Sequence, residues 1–403
     1  MGGALAKMSN LDTTQSESKS FMTKVSGKGL RWLLAEIHLW FGLILCAPLV
    51  LLGLSGSYLM YHDELDALVA GGPAFEVSDG TSQSVDAIIA VAAAAAPQGF
   101  SLRMIRMPDG AGEPVIARIG PDGASFRDPR AKSIAVDPVT LDVLGEVVGG
   151  RSLLTGIMHD IHSHALIPGG IGRPIVGWLG VIMLFLCGSG LIIWWPKPRK
   201  LWAALTIKRG ARGLRLHRDL HGAVGFWTLI VFTIVSFTGV YIAFPNPVAS
   251  LMETVLMEER SSPPGPPVKA AEGVPEMGLQ DAVRLADTVV SDVDFVLAMM
   301  PFRPGQPLRV QYNVPGSAEG APKVTVMIDP WKIDVVKVED PRAFGRTDMA
   351  VAWQRPLHAG VGLGPIWNGL VFISGFLPLL FSITGISMWW IKRRARQKRG
   401  RAA

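Results

Sequence analysis

Three of the chain's eight histidines fall within six residues, in HDIHSH at 159–164; the others are His38, His62, His217, His221 and His358. An imidazole can ligate a metal ion or a haem iron, carry a proton near neutral pH, or sit as a wetted ring at an interface. Thiolate chemistry has little material here. Cys46 and Cys187 are the only cysteines, each lies inside an apolar run, and no C-x-x-C-H motif occurs, which excludes a covalently attached haem. His217 and His221 stand four apart and share a face of any helix that carries them.

The elements that must position these rings are membrane spans. The chain is 49% hydrophobic with a mean hydropathy of +0.33, and the apolar residues concentrate in four uncharged runs, 39–61, 175–195, 222–244 and 357–391. Crossing the hydrocarbon takes roughly 20 apolar residues in a helix, which satisfies its own backbone hydrogen bonds. The spacing therefore predicts four transmembrane helices. The polar start of the chain has no signal-peptide pattern and reads as a disordered tail. The loop 196–218 carries Lys197, Arg199, Lys200, Lys208, Arg209, Arg212, Arg215 and Arg218 without an acid, and the chain ends in a second basic run after Lys392. Short basic loops stay in the cytoplasm, so this loop and both termini are expected inside. The two long, net acidic loops, 63–170 and 245–355, are then outside. Basic residues beside a span read as anchors on anionic lipid in the bilayer, and nothing supports a nucleic-acid partner.

An internal repeat orders the spans. IHLWFGLILCAPLVLLGLSGSYLMY (37–61) aligns without gaps on LHGAVGFWTLIVFTIVSFTGVYIAF (220–244), placing His38 on His221 and Gly42 on Gly225. SIAVDPVTLDVLG (133–145) aligns on TVMIDPWKIDVVK (325–337), and SGLIIWWPK (189–197) on TGISMWWIK (384–392). Slow drift of the offset signals one duplication with small insertions. Each half reads as helix, outside domain, helix, with the same orientation in the membrane. The fold class expected is an α-helical membrane protein: a four-helix bundle from a duplicated unit, with two small α+β domains outside. The expected domains are a tail (1–30), span 1 (31–62), the first outside domain (63–158), the histidine segment with span 2 (159–196), the basic loop (197–216), span 3 (217–245), the second outside domain (246–355), span 4 (356–392) and a basic tail (393–403). Helical spacing marks VDAIIAVAAAAA and LQDAVRLADTVV; alternation marks PVIARIG, KSIAVDP, PLRVQYNV, KVTVMID and DVVKVED as strands, and GPDG (120–123) as a turn. SSPPGPPVKAAEGVPE (261–276) reads as a Pro-rich linker.

This topology sorts the histidines by depth. His38, His217 and His221 fall at the inner boundary; His62, His159, His162, His164 and His358 fall at the outer one. Between His38 and His62 lies roughly 36 Å of helix at 1.5 Å per residue. A single interfacial ring reads as solvated, but a ring repeated at equivalent places in two halves can face a shared centre. A zinc ion usually wants four ligands, whereas a haem iron needs two axial imidazoles, and bundle cores admit such cofactors. The residues thus point to two non-covalent, b-type haems, one on His38 and His221, the other on His358 and one of His159, His162 and His164. Gly42 and Gly225, one turn beyond each inner ligand, would open space for a macrocycle, or merely allow close helix packing. His217 is left as a propionate partner or a wetted ring.

RLHRDLHGAVG (215–225), GRPIVGWLG with SGLIIWW (172–195), and PLHAGVGLG with TGISMWW (356–390) resemble the PepSY-associated transmembrane family, over nearly the whole chain after residue 30. The resemblance is greatest to inner-membrane ferrioxamine-type siderophore reductases, which carry two haems. It implies a multi-pass protein of the bacterial inner membrane that reduces the iron of a ferric siderophore in the periplasm and releases ferrous iron. It also implies His162 as the outer partner of His358; His159, one helical turn earlier, is second by spacing, and His164 reads as facing a propionate, substrate or water. GVGLGP (360–365) is not a nucleotide fingerprint and no flavin domain is evident, so the expected electron donor is quinol or a separate cytoplasmic reductase. Met104, Met107, Met299 and Met300 read as strand-core residues ahead of soft ligands for reduced iron, and Trp194–Trp195 and Trp389–Trp390 as an interfacial belt. The competing reading is a non-redox PepSY-type binding, regulatory or transport-accessory protein.

Overall fold

A computed structural model describes residues 27–70, 75–108, 110, 112–124, 126, 128–147, 152–261, 267–269, 276–301 and 305–402. The expected N-terminal tail and most of the Pro-rich linker lie outside the described residues. The helices that matter below are α1 Gly27–Ile44, α2 Cys46–Met60, α3 His62–Ala70, α4 Val85–Ala94, α5 Leu153–His164, α6 Gly172–Trp194, α7 Gly213–Ala243, α8 Leu279–Asp287, α9 Gln354–Ala359, α10 Gly364–Ser374 and α11 Leu377–Ala402. The chain divides into two compact units.

The first unit takes the described parts of Met1–Tyr58, His159–Ala243 and Leu370–Ala403. Among the described residues three helical stretches, Gly172–Trp194, Gly213–Ala243 and Gly364–Arg401, are long and apolar enough to cross a membrane. The pair Gly29–Ile44 and Cys46–Met60 meets that test only when taken together, across a bend of 64°. Pro48 accounts for the bend. It has no N–H for the carbonyl of Ile44, and its ring collides with the preceding turn, so the helix breaks at Leu45. Within the unit α6 packs along α7, α11 along α7, α1 along α6 and α11 along α1. Outward side chains such as Trp178 and Ile230 are 61% and 73% exposed, as lipid-facing residues must be. Gly53 of α2 and Gly375, between α10 and α11, meet backbone to backbone where no Cβ fits. Beside them Ser57 Oγ donates to the Phe372 carbonyl at 2.7 Å, satisfying backbone next to the interruption ahead of Pro378.

The second unit, Leu59–Met158 with Phe244–Gly369, contains one antiparallel sheet. Its strands are β1 Phe100–Arg106, β2 Val115–Pro121, β3 Lys132–Val136, β4 Val143–Glu146, β5 Asp294–Met299, β6 Leu308–Asn313, β7 Val324–Asp329 and β8 Asp334–Glu339. The spatial order is β4-β3-β2-β1-β5-β6-β7-β8. Sequence reading foresaw two separate α+β domains; the strands instead form a continuous sheet, joined where β1 pairs β5 through Met104↔Met299, Ile105↔Ala298 and Arg106↔Leu297. Each strand covers an edge that the other group would otherwise leave bare. Met104 and Met299 pair across this seam, and Met107 and Met300 lie one residue beyond the ends of β1 and β5. Helices α4 and α8 share one core with the sheet, through Ile88, Ile89 and Ala92 on the one and Leu279, Ala282, Val283 and Ala286 on the other.

Two hairpins carry the same loop, DPVTLD and DPWKID. Buried Asp137 accepts from the backbone N–H of Ser78 (2.9 Å), Val139 (2.7 Å) and Thr140 (3.2 Å). Burial alone would raise its pKa, but these donors outweigh burial and hold it at about 2. A depressed carboxylate contributes stability above its unfolded pKa of about 3.9 and loses it as the pH falls towards 2, here on the order of 2 kcal/mol. Wild type and Asp137→Ala should therefore differ in thermal stability at pH 7 and converge towards pH 2. Ile333, in the second loop, is 61% exposed with φ +56°. Left-handed backbone is costly for a β-branched residue. Ile333→Gly should stabilise the protein by about 0.5–1 kcal/mol, read as a higher midpoint of thermal unfolding.

Candidate functional site

α1 brings His38, and α7 brings His221, into one place in the first unit. Their ring centres are 6.4 Å apart with planes at 71°. Local contacts at the ends of these helices fix the approach. Arg31 donates to the carbonyls of Ile193 (2.6 Å) and Trp195 (3.2 Å), tying α1 to the end of α6. Gly222 leaves room for Trp194, whose Cδ1 would lie 2.6 Å from any Cβ there, and Trp194 stacks on Phe226 at 4.7 Å. Asp219, beside His221 in sequence, is held by Arg215 at 2.9 Å.

Hydroxyl groups settle the tautomers of both rings. Ser189 Oγ lies 2.9 Å from His38 Nδ1 and donates its one proton to the Phe185 carbonyl at 2.7 Å. It can only accept from the ring, so Nδ1 carries the hydrogen and Nε2 keeps its lone pair. Thr384 does the same for His221: Nδ1 is 2.8 Å from Oγ1, which donates to the Leu380 carbonyl at 2.8 Å. Metal-ligating imidazoles commonly donate their other ring N–H in this way, which leaves Nε2 as the nitrogen able to ligate. Two imidazoles on opposite sides of one metal ion, each bound at about 2 Å, have centres about 6 Å apart, which the observed 6.4 Å matches.

HDIHSH is split by the last turns of α5. His162 turns towards α2, and its Nδ1 donates to the Leu52 carbonyl at 2.9 Å, again leaving Nε2 as the lone-pair nitrogen. Its ring fills the space over Gly56, where a Cβ would come within 2.8 Å of Cε1. His159 and His164 do not join it; they come together with Asp160 instead, their ring centres 6.2 Å apart. The expectation that His164 faces a propionate, substrate or water did not include its pairing with His159.

The remaining candidates are spread out. His358 is half-buried on α9, in the second unit. His62 makes local contacts, to the Leu59 carbonyl (2.9 Å) and Asp63 (3.3 Å). His217 is half-buried, with a buried Nδ1 that has no hydrogen-bond partner among the described residues. The site of a Cβ on Gly42 has nothing within 4 Å, and that on Gly225 meets Phe381 at 3.8 Å. The glycine nearest an inner ring is Gly190, whose Cβ would lie 3.2 Å from His38 Cε1. Sequence reasoning missed Ser189, Thr384 and Gly190. The signal was present in the aligned SG and TG pairs at 189–190 and 384–385.

A comparison with curated proteins finds no match to the chain. A family model described as the PepSY-associated TM region matches residues 35–392. With its apolar helices, the chain is thus a membrane protein and belongs to the PepSY-associated TM region family.

Proposed function

We propose that the protein is an electron carrier of the bacterial inner membrane. It would hold two b-type haems and reduce ferric siderophore iron in the periplasm, taking electrons from quinol or a cytoplasmic reductase. The observation that carries this reading is the His38–His221 pair, with its 6.4 Å spacing and its two Nδ1 atoms bound to hydroxyls. The ring spacing, the tautomers and the open space beside Gly42 all suit a bis-imidazole haem. A haem held by His38 and His221 would supply one-electron transfer. The protein's own part is to fix tautomer and ring direction through Ser189 and Thr384, and to keep the rings among apolar side chains such as Phe381, 5.1 Å from His221. His162, prepared in the same way, is assigned to the second haem, with His358 as its sequence-derived counterpart. Ferric iron is a hard ion held by siderophore oxygens; one electron makes it ferrous and weakens that hold.

The four-span, duplicated architecture belongs to the same proposal. Its support is the closed ring of packing among α1, α6, α7 and α11, the symmetric order of the sheet, and the recurrence of Leu141 (φ +67°) and Ile333 (φ +56°) at aligned loop positions. Basic residues at 196–218 and after Lys392 support cytoplasmic termini.

The test is the visible spectrum of the purified protein expressed with ample haem. A Soret band, two haems per chain, and reoxidation of the dithionite-reduced protein by a ferric hydroxamate siderophore are expected. Absence of the Soret band would overturn the reading in favour of a non-redox membrane protein.

A further inference from the structure

We propose that His159, Asp160 and His164 form a separate binding site for a divalent first-row transition cation. One donor atom from each lies within 4.8 Å of the other two. The His159 and His164 ring centres are 6.2 Å apart, tilted by 49°, about 1 Å wider than two imidazoles on one tetrahedral ion, a gap that small side-chain rotations close. His159 Nδ1 and Asp160 Oδ1 are 3.6 Å apart, too far for a hydrogen bond and close to the separation of two donors sharing an ion at about 2 Å each. Ser163 Oγ, 3.3 Å from His159 Nε2, would hold the nitrogen that the metal does not use, as outer-shell partners commonly do.

The backbone holds the three donors in place. Asp160 and His164 are one helical turn apart, on one face at the end of α5. The chain then reverses through two consecutive left-handed residues that are not glycine, Ala165 (φ +51°) and Leu166 (φ +59°). Strain of this kind persists only where the surroundings enforce it. Leu166 N–H returns to the Asp160 carbonyl at 3.0 Å, and Ile167 N–H to the His164 carbonyl at 2.9 Å, so the backbones of two of the donors are pinned by the same reversal. The negative end of the helix dipole also favours a cation here.

Two imidazoles and one carboxylate select the class of ion. Calcium and magnesium prefer oxygen donors, whereas zinc and ferrous iron take this mixed set. Three protein ligands leave coordination positions open, and the half-exposed rings let the ion exchange with solvent. The site does not depend on the haem reading, because none of its residues belongs to the His38–His221 pair or shares the contacts of His162.

The experiment is a calorimetric titration of the full-length, untagged, chelator-treated protein in detergent with Zn²⁺, read beside its haem content. One saturable equivalent per chain is expected, undisturbed by excess Mg²⁺. His164→Ala and His159→Ala should each weaken it at least tenfold, roughly the loss of one ligand, with the haem content unchanged. His164→Gln serves if the alanine variant is not monodisperse. His62→Ala should leave binding intact. No saturable binding, or binding indifferent to His164→Ala and His159→Ala, would overturn the proposal. Loss of haem in His164→Ala would also overturn it, by assigning that ring to a haem.

Discussion

His221→Ala is expected to lower the haem content of the purified protein from two per chain to about one, with the Soret absorbance falling to about half. The residual haem should keep its own reduction potential, because its ligands are different rings. His38→Ala should give the same half-loaded spectrum, and combining the two should remove no more. Each ring of the pair supplies a single Nε2 lone pair, so neither alone would hold the haem. The hydroxyls give a finer test. Thr384→Val keeps the shape and removes the acceptor of His221 Nδ1–H, and Ser189→Ala does so for His38. Removing such a partner of a ligating histidine typically costs about 10–100-fold in affinity, so both variants should lose haem on dilution while purifying with some still bound. Equal loss of both haems in His221→Ala would argue against two separate sites.

Gly56→Leu is expected to do the converse, removing the second haem and sparing the first. A Cβ at residue 56 would lie 2.8 Å from His162 Cε1 and 3.2 Å from its Nδ1, and a branched side chain extends the collision across the ring. The imidazole would be driven off the Leu52 carbonyl and lose the bond that sets its tautomer. Measured by haem content and by a potentiometric titration, the variant should show one redox transition where the wild type shows two. Retention of both transitions would mean that His162 is not a ligand, whatever the tautomer implies. Gly369→Ala, where no neighbour lies within 4 Å of the added Cβ, is the matched control and should change neither.

The histidine pairing was legible because it is written twice. An aligned repeat places His38 on His221 before any coordinate is known, and apolar runs place both at the same depth. The hydroxyls that prepare the rings come from other helices, 151 and 163 residues away in sequence. Their identity as neighbours is decided by packing of α1 on α6 and of α11 on α7, which spacing within a helix cannot show. HDIHSH was only half legible. Helical spacing puts residues 160 and 164 on one face, but the turn of His162 towards α2 depends on the room over Gly56. In the sheet, β2, β3, β6, β7 and β8 were readable from alternation. In the seam strands β1 and β5 only the methionines read as strand core, because FSLRMIR and DFVLAM lack a clean period that would bound the strands. The bend in the first apolar run follows from Pro48, but a hydropathy window sums straight through it.

The join between β1 and β5 bears on what half of this chain could do alone. A polypeptide ending near residue 204 would contain β1–β4 and expose β1 as an edge, a row of unpaired N–H and C=O groups. The strand β1 pairs here is antiparallel, and a second copy of the same half would offer its own β1 in that sense, giving an isologous two-fold dimer. Linking the halves in one polypeptide replaces that bimolecular encounter with an intramolecular one at high effective concentration. It also frees the halves from being identical. The two sequence halves do differ: His159, Asp160 and His164 stand in one and His358 in the other, a difference that a symmetric dimer of one gene product cannot encode.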